Sequence, residues 1–268
     1  MANASLDTLR RTVLGMLVPA LVLLVWQVAG SRPDMAGILP TPMLVLEGWH
    51  GWIFGSPGMG LNPYLGSWVS NVQYYSMRVA QGFVLAALIG VPLGLLIGWS
   101  RLVQQLFDPL IQSLRPIPIT AWLPFSIALF GIRDMGAIFL IFLGGFYAIV
   151  VNTTQGARDV ERNLVRAALM MGASRKQLLY RVVLPAAMPS IFTGLRIGLG
   201  ISWTAVIVSE MVAVKSGLGY VLWDAYYVGR MDIVLADMVS IGIMGFLSDR
   251  LIVFIESKVL VWRMLQSH

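Results

Sequence analysis

The chain has 268 residues, of which 57% are hydrophobic and only 12% charged, with a mean hydropathy of +0.78. A soluble domain carries about 25% charged residues to wet its surface, so an ordinary soluble enzyme is excluded and the bilayer is the expected solvent. Cysteine is absent and the histidines are His50 and His268, which excludes disulfides, thiol catalysis and haem or histidine-metal centres, while the net charge of +6 reads as cytoplasmic loop charge rather than nucleic-acid binding.

A helix needs about 20 mostly apolar residues to cross the hydrocarbon core. Six stretches qualify, at 12–29, 78–99, 108–130, 136–151, 185–210 and 234–256. The expected fold is therefore an all-α polytopic membrane protein with about six transmembrane helices. The first stretch follows Arg10 and Arg11 and ends near a small-residue site at 29–31, the outline of a signal peptide. Its apolar run exceeds the usual signal core of about 7–15 residues, which favours a retained span. Between the first and second spans, "TPMLVLEGWHGWIF" offers Thr41 as a cap and Pro42 at the first helical position. Trp49, Trp52 and Phe54 there suit a helix resting on the outer headgroups, the alternative being an irregular loop with belt aromatics. The second span carries Gly90, Gly94 and Gly98, and the fifth Gly194 and Gly198; this spacing lets helix backbones approach closely, in a movable or a static interface. The third span is interrupted by Pro116, Pro118 and Pro124, so it is not expected to be straight.

With the N-terminus inside, eleven basic residues (Arg10, Arg11, Arg101, Arg158, Arg162, Arg166, Arg175, Lys176, Arg181, Lys258 and Arg263) fall on the cytoplasmic side against four outside (Arg32, Arg133, Lys215 and Arg230). That bias places both termini in the cytoplasm. The external segment 211–233 is expected to break at Gly217 and Gly219, with Tyr220, Trp223, Tyr226 and Tyr227 as interface anchors.

The cytoplasmic segment 153–184 carries the strongest local signals. Asp159 is the expected cap of a helix with Glu161 in its first turn. Gly172 supplies a stop, and Ser174 followed by Gln177 is a capping box that starts a second helix meeting the membrane at Pro185. The result is a helix, a sharp turn and a helix, with small residues at the elbow, suited to insert into a groove on another protein.

"RAALMMGASRKQLLYRVVLP" resembles the EAA loop of bacterial ABC importer permeases, which reads Glu-Ala-Ala, three residues, Gly, nine residues, Ile, any residue, Leu, Pro. Ala167, Ala168, Gly172, Leu184 and Pro185 match, while Arg166 stands at the glutamate position and Val182 at the isoleucine. "DPLIQSLRPIPITAWLPFSIALFGI", "GLRIGLGISWTAVIVSEM", "SGLGYVLWDA" and "GFLSDRLIVFIESKVLVWR" are similar to the nitrate, sulfonate, taurine and bicarbonate branch of that family, over roughly 78–263. The resemblance implies a type I permease fold, with 1–77 as the first span and external loop and 78–268 as the permease core. It implies the membrane subunit of an ATP-driven importer in a bacterial inner membrane, passing a small anion delivered by an external binding protein. The loop residues Arg166, Ala167, Ala168, Gly172, Ala173, Ser174, Leu184 and Pro185 would then couple to two ATPase subunits, with a second permease copy completing a homodimer. A permease for another small nutrient, such as a thiamine precursor, belongs to the same branch.

An ATP site needs a phosphate-cradling loop ending in Gly-Lys-Ser/Thr. None of Lys176, Lys215 and Lys258 follows a glycine, so this chain is expected to be no enzyme and to bind no cofactor, with ATP and magnesium on the partner ATPase. Candidate pathway residues are Arg115 in the third span and Arg196, Ser202, Trp203, Thr204 and Glu210 in the fifth, because charges inside a membrane are costly and functional by default. Arg115 and Arg196 can attract an anion, or else snorkel or pair with a carboxylate, and Glu210 can be a helix-terminal contact. Asp249 and Arg250 are expected to satisfy each other or neighbouring helices. An ion-coupled secondary transporter would show inverted repeats, and none is visible; a membrane enzyme would show a Gly-x-Ser-x-Gly turn or metal cluster, which the sequence lacks.

Overall fold

A computed structural model describes residues 2–35, 37–55 and 63–260, with side chains from Leu14 onward. Arg10, Arg11, Arg263 and His268, cited above for topology and chemistry, lie outside the described side chains. Helices dominate: α1 (Ala2–Gly30), α2 (Pro42–Phe54), α3 (Trp68–Trp99), α4 (Arg101–Leu114), α5 (Leu123–Phe130), α6 (Asp134–Arg158), α7 (Arg162–Met170), α8 (Arg175–Leu178), α9 (Leu184–Ala213), α10 (Leu218–Tyr227) and α11 (Met231–Val259). No strand occurs among the described residues.

Among the described residues, four helical stretches are long and apolar enough to cross a bilayer: Trp68–Trp99, Asp134–Arg158, Arg175–Ala213 and Met231–Val259. The predicted third span is a broken one, α4 and the helical segment 119–130 meeting at 93°. Pro116 and Pro118 each withhold an N–H, so α4 cannot run on through them. The first predicted span corresponds to the apolar helix Leu14–Gly30 within α1. The fifth departs from expectation at its start. The second loop helix, expected to meet the membrane at Pro185, and the fifth span are one helical stretch from Arg175 to Ala213, through a π turn at Leu179–Val183. That wider turn sits just before Pro185, whose ring would crowd the carbonyl four residues back in a regular α-helix.

The chain divides into two compact units, Met1–Ser70 with Val221–Ser240, and Asn71–Tyr220 with Ile241–His268. In the first, Thr41 caps α2 and Pro42 opens it, as the sequence predicts, and Gly55 ends it at φ 69°. Trp52 corrects the expectation of a headgroup anchor: it is fully buried, its indole N–H donating to Ser67 Oγ at 3.2 Å. Tyr64 donates to Asp224 at 2.6 Å, and Arg230 pairs with Asp232 at 2.7 Å, a hydrogen bond that holds the guanidinium above its ordinary pKa. Of the four predicted aromatic anchors, Tyr226 and Tyr227 stay exposed, Tyr226 stacking on Trp223 and Tyr227 meeting it edge-on.

In the second unit α6 is the central helix. A Cβ on Gly90, Gly94 or Gly98 of α3 would meet Ile149, Thr153 or Ala157 of α6, and one on Gly194 or Gly198 of α9 would meet Ile149, Asn152 or Gly145. The glycines thus bring both α3 and α9 close against α6, their contacts meeting at Ile149. Two apolar clusters complete this core, one around Leu95, Ala157, Val183, Ala187 and Ile191, the other around Ile97, Ile111, Leu143, Tyr147 and Val150. Gly131, at φ 70°, ends α5 and turns the chain back into α6, where Ser126 Oγ donates to the Gly136 carbonyl at 2.9 Å.

Candidate functional site: a projecting elbow and a cavity at a broken helix

The elbow forms from local chemistry. Asp159 does not begin α7 but ends α6, accepting from Gln155; Glu161 takes the N-cap position, because α6 runs seven residues beyond the predicted end of its span at 151. At the other end of α7, Gly172 adopts φ 79°. The Ala173 N–H then reaches the Ala168 carbonyl at 3.0 Å and the Gly172 N–H the Leu169 carbonyl at 2.9 Å, the paired bonds of a Schellman stop. Two residues on, the Ser174 hydroxyl accepts from the Gln177 N–H and the Gln177 side chain accepts from the Ser174 N–H, so the predicted capping box is complete. Ala168, Leu178 and Val183 are buried and anchor the loop, whereas Met170 and Met171 are 90% and 81% exposed at its tip. Ala167 and Arg166 are exposed beside them, and Leu184 and Pro185 are part-buried at the start of α9.

The second feature is a cavity of about 370 Å³ at the break in the third span. It is lined by Arg115, Pro116, Ile117, Pro118 and Ile119 on one side, Gly144, Tyr147, Ala148, Val151 and Asn152 of α6, and Ile197 and Ile201 of α9. Its size suits a small solute. Arg115 caps the C-terminal end of α4 and has no ion-pair partner among the described residues.

The other pathway candidates do not gather here. Arg196 is paired with Asp249 through two hydrogen bonds of 2.9 and 3.2 Å, and Arg250 lies over the Phe246 ring instead of meeting Asp249. Ser202 is buried with its hydroxyl donating to the Gly198 carbonyl, Trp203 donates to Ser248 with its ring tilted against Tyr75, and Thr204 donates to the Gly200 carbonyl. These are bonds within or between neighbouring helices, and they leave Arg115 alone of the six lining the cavity.

Glu210 is fully buried and meets Arg78, the first residue of the predicted second span. The Arg78 guanidinium donates to Glu210 Oε1 at 2.5 Å, to Asp134 at 2.8 Å, and to the carbonyl and hydroxyl of Ser216 at 2.8 and 2.7 Å. The second Glu210 oxygen accepts the Gly219 N–H at 2.9 Å. Gly219 therefore does not break the helix but lies in α10, and Gly217, at φ 104°, makes the turn. One buried guanidinium thereby ties α3, α6, the end of α9 and the 214–217 turn together. The available signal was an arginine and a glutamate in two different apolar stretches, each too costly to bury alone. An open depression of about 700 Å³ adjoins this hub, lined also by Tyr74, Arg133 and Lys215. Among the described residues, no group of three or more His, Cys, Asp or Glu is placed to hold a metal ion.

Residues 90–261 match the family described as the binding-protein-dependent transport system inner membrane component. The chain belongs to that family. It is a multi-pass inner-membrane protein and the permease of an ABC importer. The nitrate import permease of Synechocystis is 38% identical over 90% of this chain and 86% of its own length. The bicarbonate transport system permease of Synechococcus elongatus is 39% identical over 68% of this chain and 66% of its own. Among solved structures, the MetNI methionine ABC transporter in an inward-facing conformation superposes with a TM-score of 0.63 at 22% identity, over 74% of this permease and 98% of that chain. At that identity the likeness establishes the fold.

Proposed function

We propose that this permease carries a small oxyanion through the membrane as one of two identical copies, driven by two ATPase subunits and supplied by an external binding protein. The observation that carries the substrate class is Arg115: it is a cation without an ion-pair partner among the described residues, lining a cavity of small-solute size, whereas Arg78 and Arg196 are neutralised by carboxylates. Relatives named for nitrate and bicarbonate, both small planar oxyanions, agree with that chemistry. The remaining pathway candidates serve the helices around it. No Gly-Lys-Ser/Thr loop is present in the sequence, so ATP and magnesium act on the partner. The elbow built on Arg166, Ala167, Ala168, Gly172, Ala173 and Ser174, with Leu184 and Pro185 at its root, is the coupling element, on the cytoplasmic side together with both termini. The depression beside Arg78, Arg133 and Lys215 then faces the binding protein.

The test is reconstitution in liposomes with the cognate ATPase and binding protein, comparing ATP-dependent uptake of nitrate, bicarbonate, an alkyl sulfonate and a thiamine precursor. Arg115→Gln is expected to lower oxyanion uptake about tenfold or more, the value of losing one charge-assisted hydrogen bond, with insertion unchanged. Uptake by this chain alone on an ion gradient would overturn the ATP-driven reading, and selective uptake of a cationic nutrient would overturn the substrate class.

A further inference from the structure

Six basic residues fall from the last residue of α6 to the start of α9, and the structure divides them sharply. Arg158 is paired with Asp108 at 3.1 Å. Arg162, Arg166, Arg175, Lys176 and Arg181 are exposed, and among the described residues none of the five has an ion-pair partner. The two acids of the loop do not serve them. Asp159 accepts from the Gln155 amide, and Glu161 from the Asn163 amide at 3.1 Å.

Their placement runs against local helix electrostatics. Arg175 and Lys176 occupy the first two positions after the Ser174 cap, where the positive end of the helix disfavours cations. Arg162, Arg166 and Met170 stand four residues apart, so they form one stripe along α7 that ends at the methionine tip. Like charges four apart on a helix repel. Nothing within the loop offsets these costs. The tip itself consists of Met170 and Met171, unbranched side chains that adapt to irregular apolar surfaces.

We infer that the elbow recognises an acidic-rimmed groove with an apolar floor on its partner, Met170 and Met171 entering the floor while Arg162, Arg166, Arg175 and Lys176 meet carboxylates on the rim. This rests on the proposal that the loop couples to the ATPase, and names the surface that subunit presents. A protein groove fits better than lipid headgroups because α7 is only nine residues long and its exposed apolar residues, Leu164, Leu169 and Met170, include no aromatic anchor for an interface.

The test measures binding of the cognate ATPase to the full-length permease in nanodiscs of zwitterionic phosphatidylcholine. Wild-type affinity is expected to fall about tenfold between roughly 0.05 and 0.5 M salt, as screening removes rim charge pairs. Arg166→Glu with Lys176→Glu is expected to weaken binding about tenfold or more at low salt and to flatten that salt dependence. Unchanged affinity and slope in the charge-reversed permease would overturn the inference. So would a charge effect seen only when anionic lipid is added, which would make the five cations headgroup ligands. Met170→Asp separates this from the coupling proposal. If it abolishes binding while charge reversal does nothing, the loop is the contact and only the acidic rim fails. If neither matters, the coupling proposal fails with it.

Discussion

The two ends of α9 treat charge in opposite ways. Near its C-terminal end, Arg78 and Glu210 are buried, at 6% and 0% side-chain exposure, and their polar atoms meet partners supplied by four helices and a turn. Before its N-terminal end, five cations stand in the open with no ion-pair partner among the described residues. The first arrangement is complete in a single chain, and its charges hold the fold. The second finds no ion-pair acceptor among the described residues, which leaves its charges available for recognition. Substitutions at the hub should therefore act on stability, and substitutions at the elbow on coupling.

The largest effect is expected from Arg78→Met. It leaves Glu210 buried with no counter-charge, which should cost about 3–5 kcal/mol in unfolding free energy, read by thermal unfolding in detergent. Asp134 is 65% exposed and can regain water, so the loss concentrates on Glu210. Replacing both partners, Arg78→Met with Glu210→Met, should recover much of it, since two apolar side chains leave no uncompensated charge. A double variant no better than the single one would mean that the hub acts through its bonds to Ser216 and Gly219. Next comes Gly217→Ala. Its φ of 104° disfavours any side chain, and an added Cβ would run into the Glu210 carboxylate; a loss of about 2–3 kcal/mol is expected in the same measurement.

The same contrast explains what could be read from the sequence. The caps at Thr41 and at Ser174 with Gln177 are legible because their partners lie three residues away. The break in the third span is legible because Pro116 and Pro118 act on their own turns of helix. The Arg78 hub is not, since its partners lie 56, 132 and 138 residues along the chain, and nothing local tells a paired arginine from one facing a pore. Trp52 fails for a related reason: an indole on an apolar helix suits a headgroup layer and a packed interior equally, and Ser67, fifteen residues away, decides for the interior. Asp159 ends α6 where the sequence predicts the start of α7, because the apolar run of α6 gives out before its hydrogen bonding does.

Gly172→Ala sharpens the comparison with Gly217. Gly172 also has a positive φ, 79°, yet a Cβ there meets nothing within 4 Å. The expected stability loss is the backbone term alone, about 1–2 kcal/mol, with coupled transport falling further than stability because the turn sets where Met170 and Met171 project. Gly172→Asn, which tolerates the left-handed conformation better, should restore most of the coupling.

The smallest effect is expected from Arg196→Gln. The Arg196–Asp249 pair has good bidentate geometry, but its side chains are 45% and 38% exposed in the single chain. If water reaches them, the pair is worth no more than about 1 kcal/mol, and unfolding should shift only slightly. If the second permease copy or lipid covers this face, removing the arginine strands a carboxylate in an apolar setting and the loss rises toward the value expected at Arg78. Comparing the two variants in one unfolding assay, first in detergent and then in the assembled transporter, therefore reports whether this stretch of α9 and α11 is solvated. A loss that is small in detergent and large in the assembly would place Arg196 at a buried interface, and a small loss in both would leave Arg78 as the one α9 ion pair whose removal endangers the fold.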